Sequence, residues 1–467
     1  MKPLALALLG LFVQAGQPAA DSITAASLRG RVSFLASDLL EGRATPSRGL
    51  DIAAAYIAAE FRRADLESPL GGDYFQTAPY VQVTDAPEPA EFSFAGSEVD
   101  PGRIRVESLR GVRLANEQVF KWAPGAKIDI PLAGKILMLR APSDPAVIGK
   151  LAFAHPDAIV ELVRGSKPEK RAGRLIPAAD SAIGEDPVLL SVPEMDVEAG
   201  FDRLPVGLTT AKASATVPAP LVKPAPLRNV AGLLRGSDPV LRDQYILVSA
   251  HYDHLGKTDA DGIFNGANDN ASGVATLLEL ATALSRENPH PRRTLVFVCF
   301  FGEEKGLFGS AWYVKHPLVP LAQTVADINF EQMGETASSE GLPVSSLGVT
   351  GYDYSDLPQT LEPALREAGV SLREVRHNAE FFDRSDNLSF AAAGIPAHTF
   401  VAALEYPDYH RTTDKWQKLN YENMARLDRG LAAALTALAN RTETPRWNEE
   451  SKKAKEYLKA WRGLHPM

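Results

Sequence analysis

Imidazoles and carboxylates recur in short clusters through the second half of the chain: His251-Tyr252-Asp253-His254, Asn268-Asp269-Asn270, Glu303-Glu304, Asn329-Phe330-Glu331 and Asp408-Tyr409-His410. Nitrogen and oxygen donors without sulfur make up the ligand set of a zinc site. Hydrolysis at a pair of zinc ions needs a bridging carboxylate, one histidine and one carboxylate for each ion, and an open position for water. One further carboxylate must stay unligated, to take the water's proton and deliver it to the leaving amine. Asp269, in a short loop rich in Gly and Asn, suits the bridge. Adjacent Glu303 and Glu304 can divide ligation and proton transfer, because neighbouring side chains at a strand end point in different directions. Spacing alone leaves open which of the two is the base. Asp253, two residues after His251, is placed to fix the tautomer of that imidazole.

Each cluster taken singly has an ordinary explanation. A lone His after a strand is more often a hydrogen-bonded structural residue, a Glu-Glu pair is usually solvated, and an Asp at a helix start is normally a cap. Their common position decides the matter. Tyr245–Ala250 (YILVSA) and Thr294–Phe301 (TLVFVCFF) are near-continuous apolar runs, as expected of strands covered on both faces. Val325–Phe330 and His398–Ala402 are further strand candidates, and Val274, Leu277, Leu278, Ala281 and Leu284 follow helical spacing. Strands alternating with helices imply an α/β fold with a mostly parallel central sheet and helices on both faces. Ligands bind at the carboxyl ends of such strands, and the clusters follow four strands and open one helix. His398, inside an apolar strand, reads as a satisfied core histidine, and His254 as a neighbour of the site.

The chain has 467 residues, 49 basic against 58 acidic, for a formal net charge of −9. That balance argues against nucleic acid or a polybasic membrane surface as a partner. Cys299 is the single cysteine, which rules out an internal disulfide framework and a cysteine-ligated cluster. Met1-Lys2-Pro3, an apolar run from Leu4 to Val13 and the small residues Ala15 to Ala20 have the layout of a signal peptide. The run is too short to span a bilayer, which takes about 20 apolar residues. We therefore expect a signal at residues 1–20 and an exported mature protein, periplasmic or extracellular, without a membrane span. The catalytic domain is expected from 21–85 and 226–441, interrupted by a Pro-rich, β-rich unit at 86–225. Ile23 to Leu66 reads as helical, and the tail, 442–467, as a surface helix.

SAHYDHLG (Ser249–Gly256), GANDNASG (Gly266–Gly273), FGEEKGLFGS (Phe301–Ser310), NFEQMG (Asn329–Gly334), RSDNLSFAAAGIP (Arg384–Pro396) and YPDYHRTTDKWQKLN (Tyr406–Asn420) together resemble the zinc aminopeptidases of the M28 peptidase family, in the family's order. The insert, with Lys135–Leu139 and Pro187–Ser191, is more loosely similar to a protease-associated domain. The resemblance implies a zinc-exopeptidase fold and two zinc ions per chain. One ion is expected on His251 and Glu331, the other on Glu304 and His410, with Asp269 bridging and Glu303 as general base. It also implies that Tyr409 helps stabilise the tetrahedral intermediate. Arg384, Ser385 and Asp386 are expected to line the substrate pocket. Two positions depart from the family's usual residues: Glu331 stands where Asp is commoner, and Asn387 where many relatives have His. The implied activity is removal of N-terminal residues from peptides through a metal-activated water. The alternatives are a carboxypeptidase or dipeptidase, a glutaminyl cyclase, and a non-catalytic receptor-like module.

Overall fold

The computed structural model describes residues 19–141, 146–164, 173–181, 186–335, 344–375 and 378–466. Residues 1–18 of the expected signal segment lie outside these. Two units emerge, one from residues up to 78 and from 227 onward, the other from 79–226. Among the described residues, no helix is long and apolar enough to cross a membrane.

In the first unit the apolar runs become the middle of a sheet. Tyr245–His251 pairs in parallel with Thr294–Phe300 on one side and Thr324–Glu331 on the other, and Thr324–Glu331 pairs in parallel with Ala397–Val401. Antiparallel partners flank this block: Val230–Leu234 beside Thr294–Phe300, and Ser346–Val349 beside Ala397–Val401. The fold is α/β, with helices on both faces as the alternating pattern requires. All seven residues of Thr294–Phe300 are buried, which is why the segment carries no polar alternation. Gly273–Leu284 is likewise buried along its whole length. On the other face, Leu247, Val296, Val298 and Phe300 pack with Tyr313, Phe390 and Trp447. Full burial of such side chains is worth roughly 1.5–3 kcal/mol each.

Register brings the strand ends together. His251 lies opposite Phe300, and Glu331 opposite Val401. The polar residues that follow these strands therefore leave the sheet at one edge.

Two expectations are corrected. Ile23–Leu66 is not one helical stretch: helices Ala25–Leu35 and Arg48–Arg63 are separated by a turn with φ of 47° at Glu41, 70° at Gly42 and 49° at Arg43. Left-handed residues cannot continue a right-handed helix. The C-terminal helix, Ala454–Leu464, is packed rather than merely superficial, with Ala454 and Tyr457 buried and the Tyr457 ring 5.1 Å from that of Trp447.

The second unit holds an eight-stranded sheet, in which Val112–Lys121, Lys135–Arg140, Ala158–Val163 and Val188–Pro193 run parallel in that order. Gly207–Val217 pairs antiparallel with Val112–Lys121. One face packs Phe92, Val119, Ile136, Val160 and Phe201, the other Phe120, Leu137, Leu139 and Ile159.

Candidate active site

Each ligand candidate stands where its strand ends. His251 is the last residue of its strand and 1% exposed, and Glu331 closes the next strand. Glu303 and Glu304 begin the turn after Thr294–Phe300. Asp269 comes from the loop before the buried helix Gly273–Leu284, and His410 from the loop after Ala397–Val401.

Asp269 sits between two groups. Its Oδ1 faces His251 Nε2 at 3.4 Å, and its Oδ2 faces His410 Nε2 at 3.1 Å. Glu331 Oε1 is 3.7 Å from His251 Nε2, and Glu304 Oε2 is 3.3 Å from His410 Nε2. Glu303 Oε2 is 4.0 Å from His251 Nε2, and its carboxylate receives no hydrogen bond from the described residues. The two adjacent glutamates thus have different surroundings: Glu303 lines a cavity, while Glu304 turns toward His410 and His254.

Electrostatics follow from this crowding. Burial lifts the Glu303 carboxyl well above the ordinary range; His251 opposes that, and Glu331 and Asp386 add to it. Burial likewise carries Glu331 to about 7 against the pull of His251. For His410, burial works downward, but hydrogen bonds to Asp269 and Glu304 outweigh it and raise the imidazole to about 10. Burial would raise Asp269, yet His251 and His410 together hold it below the usual carboxylate range. Carboxylates this close need protons or cations between them. The donor set of imidazole nitrogens and carboxylate oxygens fits zinc, and Cys299, buried within its strand, adds no thiolate.

Polar side chains fix the loops. Asp253 Oδ1 lies 3.6 Å from His251 Nδ1 and accepts from the Glu303 amide at 3.1 Å. Asp414 accepts from the backbone N–H groups of Asn268 at 2.9 Å and Asp269 at 3.2 Å. Asn270 Oδ1 accepts from Gly273 and Gln332, and its amide donates to Phe330 O at 2.9 Å. Ser385 donates to Glu331 and accepts from Asn329 at 2.7 Å.

The cavity measures about 400 Å³ and is lined by Asp269, Glu303, Glu331, Phe381, Arg384, Ser385, Thr399, Tyr406 and Tyr409, among others. Tyr409 is 37% exposed, and its ring stacks on His410 at 3.9 Å. Asp386 departs from its expected lining role: it is wholly buried and absent from the cavity wall, with burial raising its carboxyl to about 7. Asn387 is also buried, donating to Phe382 O and accepting from Thr399.

Sequence reasoning set two participants aside or missed them. His254 is 0% exposed, its Nδ1 lies 2.8 Å from Glu304 Oε1, and Gly266 leaves it room, since a Cβ there would come within 2.5 Å of the ring. The HYDH spacing was its only signal. Asp414, four residues after His410, had none.

A carboxylate–imidazole cluster at the C-terminal edge of a parallel sheet, with an adjoining cavity, has the donor chemistry and the position of a metal centre in an α/β fold. Residues 229–435 match the model of peptidase family M28. A probable zinc metalloprotease of Pyrenophora teres f. teres is 30% identical over 246 residues, which cover 48% of this chain and 51% of the relative. Leupeptin-inactivating enzyme 1 of Streptomyces exfoliatus is 30% identical over 184 residues, 39% of this chain and 37% of that one. Aminopeptidase YwaD of Bacillus subtilis is 24% identical over 236 residues, 49% and 48% of the two chains. These matches span about half the length of the relatives or less. The fold is similar to that of an aminopeptidase from Aneurinibacillus sp. strain AM-1, with a TM-score of 0.57 at 19% identity over 92% of this chain and 96% of that one.

Proposed function

We propose that this protein is an exported zinc-dependent aminopeptidase that removes residues from the N-termini of peptides. The observation that carries the reading is Asp269, whose two oxygens face the imidazoles of two different groups. In this reading His251 and Glu331 would hold one zinc ion and Glu304 and His410 a second, with Asp269 shared between them. Zinc bound there would supply Lewis acidity toward a carbonyl oxygen and would lower the pKa of a bound water to near neutrality. Glu303, which faces the cavity and whose carboxylate receives no hydrogen bond from the described residues, would accept the water's proton at a carboxylate oxygen and return it to the leaving amine. Asp253 keeps the His251 ring oriented. The Tyr409 hydroxyl donates to the substrate's carbonyl oxygen as charge develops on it. The name of the Bacillus subtilis relative, an aminopeptidase, supports the same activity.

A second reading, dipeptidase or carboxypeptidase, is favoured by Arg384. It is an exposed cavity residue stacked on Phe381 at 5.4 Å, with no ion-pair partner among the described residues. A guanidinium so placed matches a terminal carboxylate. The test is a rate panel of free-amine aminoacyl chromogenic amides, their N-acetylated counterparts and free dipeptides, each with chelator or added zinc. Chelator-sensitive cleavage of the free-amine amides alone is the expected result. Activity confined to substrates with a free carboxylate would replace the aminopeptidase reading with the second one.

A further inference from the structure

The segment Gly42–Thr45 precedes the M28 match and carries none of the ligands, yet it is built into the loops that do. Arg43 is 1% exposed. Its guanidinium donates to the carbonyl oxygens of Leu35, of Tyr252 at 2.9 Å, of Asn265 at 2.8 Å and of Gly266 at 2.9 Å. Tyr252 lies between His251 and Asp253, and Gly266 three residues before Asp269. One cation therefore ties together the loop of a terminal ligand and the loop of the bridging carboxylate. The backbone joins in, since Arg43 O accepts from the His254 amide at 3.2 Å.

Thr45 makes the second connection. Its hydroxyl donates to Asp253 Oδ2 at 3.0 Å, while Asp253 Oδ1 faces His251 and accepts from the Glu303 amide. The chain passes through a tight space here. Gly42 has φ 70°, and a Cβ on it would stand 2.3 Å from the carbonyl oxygens of both Gly256 and Phe264.

The charge is suited to its place. Burial lowers the Arg43 guanidinium to about 10, against the opposing field of Asp253, Asp414, Asp269 and Glu304, so it stays a cation at neutral pH. All its hydrogen bonds go to carbonyls, and among the described residues none of those carboxylates lies within ion-pair distance of it. It offsets the negative charge of the cluster without occupying a ligand oxygen.

We propose that Arg43 and Thr45 are positioning residues of the metal centre, holding Asp269 and, through Asp253, His251 in ligating geometry independently of any bound ion. Residues 229–435 alone then lack part of what makes the site bind metal. The inference rests on the two-zinc reading above, and it gives Arg43 and Thr45 a role that acts only through other residues.

The experiment uses the full chain, stripped of metal and titrated with zinc in competition with a chromophoric chelator. Melting temperatures with and without zinc are measured alongside. Arg43→Gln and Thr45→Val are expected to weaken zinc binding about 10–100-fold, the usual effect of losing a ligand's supporting partner. The zinc-induced rise in melting temperature should shrink with it, whereas a purely structural role would lower the apo and zinc-bound melting temperatures together. Thr45→Ser keeps the hydroxyl and should bind like the parent. Parent-like zinc affinity in folded Arg43→Gln and Thr45→Val would overturn the proposal, as would a loss in Thr45→Ser equal to that in Thr45→Val. If Arg43→Gln fails to fold, Thr45→Val against Thr45→Ser decides the matter. A parent chain that takes up no zinc would instead refute the two-zinc reading itself.

Discussion

His398 gives the fold a specific sensitivity to acid. It lies in the Ala397–Val401 strand, 0% exposed, with Nδ1 2.8 Å from Thr350 O and Nε2 2.6 Å from the Ser355 hydroxyl. A neutral ring satisfies both contacts, donating at Nδ1 and accepting at Nε2. The rings of Phe382 and Trp447 lie 5.9 and 6.2 Å away, and among the described residues no carboxylate pairs with it. Burial lowers its pKa from 6.5 to about 4, against a smaller opposing effect of the Thr350 carbonyl. Because the folded pKa lies below the unfolded one, the contribution is complete above pH 6.5. It drains away as pH falls toward 4, since there the unfolded chain binds a proton that the folded chain refuses. A gap of about 2.5 pH units at 1.36 kcal/mol each makes about 3 kcal/mol, of which about 2.5 kcal/mol is lost by pH 4.5. The assay is urea unfolding of the metal-free parent and of His398→Asn at pH 7 and 4.5, followed by tryptophan fluorescence, for which Trp447 is a nearby reporter. The variant is less stable at pH 7, but its loss between the two pH values should be smaller than the parent's by about 2.5 kcal/mol. Other titrating groups are common to both proteins and cancel. Equal losses, within about 1 kcal/mol, would refute the reasoning.

Glu303→Gln should retain zinc while kcat falls by ~10²–10⁴, and Glu304→Ala should lose metal; swapped phenotypes, read from metal content and single-turnover rates, would reverse the two roles. Arg31 donates from Nε to Glu279 at 2.6 Å and from Nη1 to Glu60, with side-chain exposures of 5, 4 and 16% in that order. Arg31→Met should therefore cost roughly 3–5 kcal/mol in urea unfolding by stranding Glu279, and a loss below about 1 kcal/mol would show that water reaches the pair. Chelation should lower the melting temperature of the parent, and zinc at about 1,000 times its dissociation constant should restore about 4 kcal/mol; a melting point independent of zinc concentration would count against the metal reading.

The sheet and its ligand clusters were legible for one physical reason. Parallel strands buried on both faces must be apolar throughout, so the first polar residue after each run marks where the chain leaves the sheet. His251 and Glu331 are such residues. Arg43 was hidden by the opposite circumstance. Helical periodicity continues on both sides of it, and the break is made by Glu41 and Arg43 at positive φ as well as by Gly42. Nothing in residue type announces a left-handed Glu or Arg. Asp386 misled because a polar Arg-Ser-Asp run reads as a rim, whereas only Arg384 and Ser385 reach the cavity. In the tail, the many charges of Glu449–Lys459 masked the spacing of Ala454 and Tyr457, three apart on one helical face.

The residues whose roles the sequence did not reveal share a kind of work. Arg43, Asp414, Asn268 and Asn270 bind backbone groups of the ligand loops rather than ligand side chains: carbonyls of 252, 265 and 266, amides of 268, 269 and 273, and amides of 332 and 334. A loop without secondary structure cannot satisfy its own buried N–H and C=O groups, so side chains from elsewhere must do it. Such partners are set by where the backbone runs in three dimensions, and no linear spacing encodes that. The proposed ligands are legible because their chemistry requires His, Asp or Glu at strand ends. Their supports are not, because any donor or acceptor of the right reach would serve. The site is thus divided between a motif-bearing part within residues 229–435 and a supporting part that reaches back to Arg43 and Thr45.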